Sequence, residues 1–204
     1  MRDVTLIDAG TGNLRSVQKA LESTGATVVR TDDPAVVRGA ARLVLPGVGA
    51  FGPFMDGLRR RGLEAAVKEA GARATPLLGI CVGMQALFES GEEMGEHAGL
   101  GLLRGRVRRF EPSSDFKVPH TGWNQLQPAR TSILFSNIAS GAYVYFNHSY
   151  FCEPEDEADV LARTAYISSY ASAVQREKIY GVQFHPEKSQ AVGLQILRNF
   201  LELA

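Results

Sequence analysis

The chain has 204 residues, 45% of them hydrophobic, with 22 Lys plus Arg set against 22 Asp plus Glu. That length supports one sizeable core and is short for two ordinary domains, so residues 1–204 read as a single domain. Zero formal charge leaves no field to draw the whole molecule toward nucleic acid or an anionic membrane. No apolar run approaches membrane-spanning length, and the opening MRDVTLID puts charges where a signal peptide needs its apolar centre, so a cytoplasmic protein is expected. Cys81 and Cys152 make no disulfide framework and have no metal-ligand spacing to each other or to a histidine; neither a metal nor a cofactor is expected.

VTLIDA, Val4 to Ala9, is a short apolar run ending in Gly10-Thr11-Gly12, after which Leu14, Val17 and Leu21 recur on one helical face with Gly25 as the stop. ATVVR predicts a second strand, and ARLVLPGVG, Ala41 to Gly49, a third that ends in a Gly/Pro loop before helices over Phe51 to Ala70. PLLGI, Pro76 to Ile80, is a fourth strand, apolar enough to be buried on both faces, followed by a helix carrying Met84, Leu87 and Phe88. Beyond Gly99 the segments RVRRF, GWNQLQ, YVYFNHSY, DVLARTAY and KIYGVQFH predict a mixed or antiparallel extension. The alternation in Arg104 to Arg109 suits the wet face of a strand better than a nucleic-acid stripe. A last helix from Ser189 to Leu203 sets Val192, Ile196 and Phe200 at helical spacing. Repeated strand and helix units of this kind predict an α/β fold, an open, mostly parallel (mixed) central sheet with helices on both faces.

Taken alone, a free cysteine is most often a small buried hydrophobe. Cys81 sits in GICVGMQ, where the fourth strand hands over to a helix, the place at which open α/β sheets keep their chemistry. Gly79 and Gly83 relieve crowding there, the helix start favours a thiolate, and the Val82 N–H is available to a developing oxyanion. Packing alone calls for none of this. A nucleophilic thiol needs a base, and of the four histidines His185 stands in QFHPEKS, where Pro186 biases it toward extended backbone and brings Glu187 to the same side. The carboxylate would then set the imidazole's tautomer and orientation. His97, in GEEMGEHAG, reads as a solvated residue.

LPGVGAFG, Leu45 to Gly52, ends the third strand, and its glycines let backbone amides approach a ligand or reorient, which makes it a second source of oxyanion donors or a plain glycine-rich turn. YFNHSY, Tyr145 to Tyr150, sets main-chain and hydroxyl groups at a strand end where an amino acid could be held, or simply packs aromatics.

GICVGMQ, LPGVGAFG and the late HPEKS, in that order, resemble the class I, or triad, glutamine amidotransferases, and the resemblance spans essentially the whole chain. IDAGTGNLRSV, VPHTGWN and YFNHSY resemble more narrowly the family of glutaminase subunits of imidazole glycerol phosphate synthase, of histidine biosynthesis. The pyridoxal phosphate pathway's glutaminases would carry a GGES-type loop, and anthranilate synthase components a GPG-type loop, where this chain has PGVG.

The resemblance implies a flavodoxin-like fold with Cys81, His185 and Glu187 as catalytic triad, and Val48, Gly49 and Val82 around the oxyanion. It also implies a glutamine pocket of Gly49, Gln85, His148, Ser149 and Tyr150. The partner it implies is a (β/α)8-barrel cyclase subunit that receives ammonia, with Asn13, Trp123 and Lys188 as candidate contacts. A glutaminase that runs without its acceptor wastes glutamine, and glycines on both sides leave Gly47-Val48-Gly49 free to reorient, so the oxyanion site is expected to be completed only when the cyclase carries its substrate. Other readings stay open: a subunit of a different amidotransferase, a thiol hydrolase working without a partner, and a binding module that has lost catalysis.

Overall fold

The computed structural model describes residues 3–112 and 114–202. Strand and helix alternate in the first half: β1 (Asp3–Ile7), α1 (Leu14–Ser23), β2 (Thr27–Thr31), α2 (Pro34–Gly39), β3 (Leu43–Gly47), α3 (Phe51–Arg60), α4 (Leu63–Ala72), β4 (Leu77–Cys81) and α5 (Val82–Gln85). Strands dominate the second: β5 (Ser90–Gly91), β6 (His97–Ala98), β7 (Gly105–Arg109), β8 (His120–Gln125), β9 (Gln127–Pro128), β10 (Tyr143–His148), β11 (Tyr150–Pro154), β12 (Val160–Ala165), β13 (Ser169–Arg176) and β14 (Ile179–Val182), closed by α6 (Gln190–Leu201).

Strands β2, β1, β3, β4 and β14 lie side by side and parallel. The sheet continues through β13, β11, β7, β5 and β6 with mostly antiparallel pairing, while β8 and β10 pair apart from it. The chain winds from β1 one way to β2 and the other way to β3 and β4. Right-handed crossovers therefore put α1 on one face and α3 with α4 on the other. Packing agrees, since α1 touches α6 whereas α4 touches α2 and α3. Burial follows position: β3 and β4 are buried at every residue, and β2, at the edge, at none.

Local chemistry accounts for most boundaries. Helix α1 buries Leu14, Val17, Ala20 and Leu21 and stops where Gly25, at φ 90°, turns left-handed. There the Gly25 and Ala26 amides donate back to the Glu22 and Leu21 carbonyls in a Schellman cap. In β7, Val107 is buried while Arg106 and Arg108 face outward and pair with Glu153, as the basic alternation predicts.

Three elements differ from expectation. The helix after β4 is a single turn, so Leu87 and Phe88 lie beyond it. The carbonyls of Ala86, Leu87 and Phe88, which a longer helix would use, instead accept the amides of Leu100, Leu102, Leu103 and Gly101. Strand β13, rich in alanine and serine with weak strand preference, is not foreseen, yet it joins β14 to the antiparallel extension. KIYGVQFH supplies a strand of the parallel set rather than of the extension. Helix α6 buries Ile196 and Phe200 and leaves Val192 partly buried. Its predicted end at Leu203 lies outside the described residues.

Candidate active site

Cys81 ends β4 with φ 54° and ψ −112°, a backbone state that side chains other than glycine rarely take and that costs on the order of 1–3 kcal/mol. The turn is this tight because α5 lies directly on β3 and β4. A methyl group at Gly83 would overlap the Leu45 carbonyl oxygen, and one at Gly79 would stand 2.6 Å from the Gly83 oxygen. The elbow thus needs glycine on both sides of the cysteine. Because α5 is one turn long, its favour toward a thiolate comes from the first peptide N–H groups, Val82 foremost, and not from a long helix dipole.

Sheet order brings the other pieces to this point. β14 pairs with β4 through Val182 and Ile80, and β3 pairs Gly47 with Cys81, so residues 183–185 and 48–49 flank the thiol from the two neighbouring strands. His185 is extended, φ −99° and ψ 97°, with its N–H donating to the Tyr145 carbonyl. Its Nδ1–H donates to Glu187 Oε1 at 3.0 Å, the carboxylate being buried. The apposition arises differently from the extended-chain expectation: Pro186–Lys188 is a 3-10 turn that folds Glu187 back under the imidazole.

The remaining ring nitrogen faces Cys81. Burial by itself would lower the imidazolium pKa of His185, but the hydrogen bonds to Cys81 and Glu187, with their negative charges, outweigh it and raise it to about 10. A charged imidazolium beside the sulfur is the arrangement that a thiolate nucleophile requires.

Sequence reading missed Gln183. Fully buried and two residues before the base, it donates from Nε2 to Cys81 Sγ at 3.7 Å and accepts from Gln85 Nε2 at 3.2 Å on its Oε1. Gln85 Nε2 also donates to the Tyr150 carbonyl at 3.0 Å. Both amide hydrogens of Gln85 are therefore engaged, and what it offers a ligand is its oxygen. The alternation of β14 was a usable signal, since Gln183 and His185 project to one side.

Cys81, Gln85 and His185 wall a cleft of about 290 Å³ that also includes Val48, Gly49, Val82, His148, Ser149 and Tyr150. Gly49 is left-handed, φ 91°, with open space around the position of a Cβ. Glu93, also missed, is the acidic side chain of the lining; its Oε2 accepts the Phe51 N–H at 2.8 Å at the head of α3. Nothing in GEEMGEH distinguishes it from its neighbouring acids. His97 is half-buried in β6, with one side of its ring over Gly52, and so is only partly solvated. Among the described residues no group of three His, Cys, Asp or Glu is placed to hold a metal.

Lys188 borders the cleft with its ammonium 5.6 Å from the centre of the Tyr145 ring, and Trp123, 45% exposed, stacks edge-on against the same ring. Asn13 stands at the head of α1 with no side-chain capping bond, and α1 touches the turn holding Lys188.

A strained cysteine elbow beside a His–Glu pair on an open sheet of this order is the arrangement of a thiol nucleophile with a base, and the chain belongs to the class I glutamine amidotransferases: the family model "Glutamine amidotransferase class-I" matches residues 5–204. Among named relatives, imidazole glycerol phosphate synthase subunit HisH of Salinibacter ruber is 53% identical across 98% of this chain and 94% of its own. The subunit of that name from Moorella thermoacetica is 49% identical across 100% and 96%. Solved structures share the fold: one titled as a glutamine amidotransferase superposes with TM-score 0.76 at 22% identity over 98% and 97% of the two chains. PurLQS of Thermotoga maritima gives 0.74 at 19% over 98% and 97%.

Proposed function

We propose that this chain is the glutaminase subunit of an imidazole glycerol phosphate synthase in histidine biosynthesis, hydrolysing glutamine through a cysteinyl thioester. The observation that carries the reading is the continuous line from buried Glu187 through His185 to Cys81 on its strained elbow, opening into one cleft. The Cys81 sulfur attacks the side-chain amide carbon, and the electron pair of the carbonyl moves onto oxygen. The N–H of Val82 and an amide of Val48–Gly49 hold that oxyanion, each donor being worth roughly 3–4 kcal/mol in comparable sites. Collapse expels the nitrogen with a proton from His185 as ammonia. Water then gives its proton to His185, adds to the thioester, and the second collapse releases glutamate and the thiolate.

Glutamine is held by groups of matching chemistry. Glu93 faces its α-ammonium, the main chain of Ser149 and Tyr150 its carboxylate, and the Gln85 oxygen its amide N–H; Gly49 and His148 complete the wall. Ammonia is mostly protonated and unreactive in neutral water, so it passes directly to a partner. That partner is a (β/α)8-barrel cyclase subunit, docked where Trp123, Tyr145 and Lys188 cluster and where Asn13 heads α1. Two buried free cysteines suit the reducing cytoplasm in which we place the protein.

The test is Cys81→Ser. Its circular dichroism should match that of the unaltered chain while glutamate and ammonia release from glutamine, assayed with the cyclase present, falls to background. Appreciable residual turnover would make Cys81 a packing residue and overturn the reading.

A further inference from the structure

Behind the glutamine cleft lies a buried cluster whose polar atoms the chemistry above does not use. His148 and His120 approach the same hydroxyl, Tyr170 Oη, each at 3.2 Å, through Nε2 and Nδ1 respectively. His148 Nδ1 lies 2.8 Å from the Tyr150 carbonyl oxygen, and Asn124 Nδ2 lies 3.4 Å from His120 Nε2. Aromatic rings close around them. His120 is stacked between Phe146 and Tyr166, with centroids 4.8 and 3.9 Å away, and Phe110 lies 5.5 Å from His148 and 5.3 Å from Tyr170.

The protons in this cluster can be placed one by one. A carbonyl only accepts, so His148 carries its proton on Nδ1 and donates to Tyr150. Burial lowers the pKa of His148 to about 3 and that of His120 to about 4, so both rings are neutral at physiological pH. His148 Nε2 is then a bare acceptor, and Tyr170 must donate to it. The Thr164 hydroxyl, on the neighbouring strand and also against Tyr170 Oη, gives its own proton to the Gln125 carbonyl and so is no donor to Tyr170. Having given its only proton, Tyr170 Oη accepts from His120 Nδ1–H. His120 Nε2 in turn accepts from Asn124, whose second amide hydrogen goes to the Ala165 carbonyl. The direction that gives every ring nitrogen a partner runs from Asn124 to His120 to Tyr170 to His148 to the Tyr150 carbonyl.

The end point carries the functional meaning. The Tyr150 carbonyl also receives the Gln85 amide, and Gln85 is tied through Gln183 to the Cys81 sulfur. We propose that Tyr170 is a positioning residue for glutamine binding: through His148 it holds the Ser149–Tyr150 turn and, with it, the Gln85 side chain against the cleft. This rests on the assignment of the cleft as the glutamine site. Without the Tyr170 hydroxyl, His148 Nε2 is a buried acceptor with no donor. His120 Nδ1–H loses its acceptor as well, and the His148 ring is no longer held from that side in the orientation that bonds Tyr150. The Tyr150 peptide and Gln85 lose their common anchor, while Cys81, His185 and Glu187 keep theirs.

Tyr170→Phe removes one oxygen and leaves the ring, and it can be tested on the full chain alone. Alkylation of Cys81 by a glutamine-shaped diazoketone needs the pocket, whereas alkylation by iodoacetamide needs only the thiolate. The variant should be labelled by the diazoketone roughly tenfold more slowly, with iodoacetamide labelling unchanged; with the cyclase present, KM for glutamine should rise about tenfold and kcat stay within about threefold. A lowered melting temperature with an unchanged ratio of the two labelling rates would show a merely structural role and overturn the proposal. Independently of any variant, 15N spectra of the unaltered chain should show His120 and His148 neutral and protonated on Nδ1. A proton on His148 Nε2 would overturn it as well. If the diazoketone fails to label Cys81 of the unaltered chain even with the cyclase and its substrate present, the cleft assignment itself falls and this proposal with it, which the iodoacetamide and 15N results tell apart from failure of the positioning role.

Discussion

At the residue scale, the thiol is held by two partners of different kinds. His185 supplies charge, and Gln183 supplies a neutral donor whose orientation is set by its own bond from Gln85. A hydrogen bond to a charged group is worth about 1.5–3 kcal/mol, so Gln183→Leu should slow both iodoacetamide alkylation of Cys81 and glutamine turnover roughly ten- to a hundredfold. Unaltered alkylation would leave Gln183 as packing alone. Glu187 acts on the other side of the imidazole. The pKa of His185 is raised above its ordinary 6.5 to about 10, so the pair contributes its full stability below about pH 6.5 and loses it as pH rises through about 10. Glu187→Gln removes the negative charge and presents an N–H to Nδ1. The His185 titration followed by NMR should then fall toward 6.5, with turnover reduced by orders of magnitude, up to the roughly 10⁴ seen when a triad acid is neutralised elsewhere. A His185 titration unmoved by the change would remove Glu187 from the site.

At the element scale, the elbow and the loop after β3 use glycine for opposite reasons. Gly83 is glycine because α5 is pressed onto the Leu45 carbonyl, whereas Gly49 has open space and is constrained only by its left-handed backbone. Gly83→Ala must therefore push α5 off the sheet, lowering the melting temperature and moving Cys81 together. Gly49→Ala should fold with about 1–2 kcal/mol of local strain and act on the oxyanion donors alone, lowering kcat with the cyclase present more than it lowers stability. Equal melting losses for the two substitutions would contradict this division.

At the scale of the whole molecule, two neutral histidines are buried beside the cleft in the path of acid. His120 and His148 bind protons readily once unfolded but only near pH 4 and 3 when folded. The contribution of these two rings should be complete above about pH 6.5 and fall as pH drops toward 4, by up to about 1.4 kcal/mol per pH unit for each ring. Denaturant midpoints across pH 4 to 7 measure the slope, and His120→Gln should make it shallower. The exposed surface of Trp123 and Tyr143, 45% and 55% accessible, lies where the partner is placed. Trp123→Ala should weaken binding to the cyclase by about 2 kcal/mol or more, read by titration calorimetry, with little change in the isolated chain's melting.

The sequence by itself determined what is local. Short apolar runs located the first four strands and marked β4 as buried; the Gly-Cys-Gly spacing located the elbow; and His185 with Glu187 two residues on could be paired, although the pairing is made by a tight turn and not by extended chain. What only the tertiary structure decided depends on contacts between residues distant along the chain. The helix after Cys81 ends after one turn because amides 100–103 take the carbonyls of residues 86–88 just beyond it, and β13 is a strand because its neighbours complete its hydrogen bonds, not because alanine and serine prefer the state. Gln183 meets the sulfur through the β4–β14 pairing, Glu93 reaches the cleft by folding across the head of α3, and His120 joins His148 through β8 and β10. Those contacts link residues far apart along the chain, and local periodicity carries no record of pairing at that range.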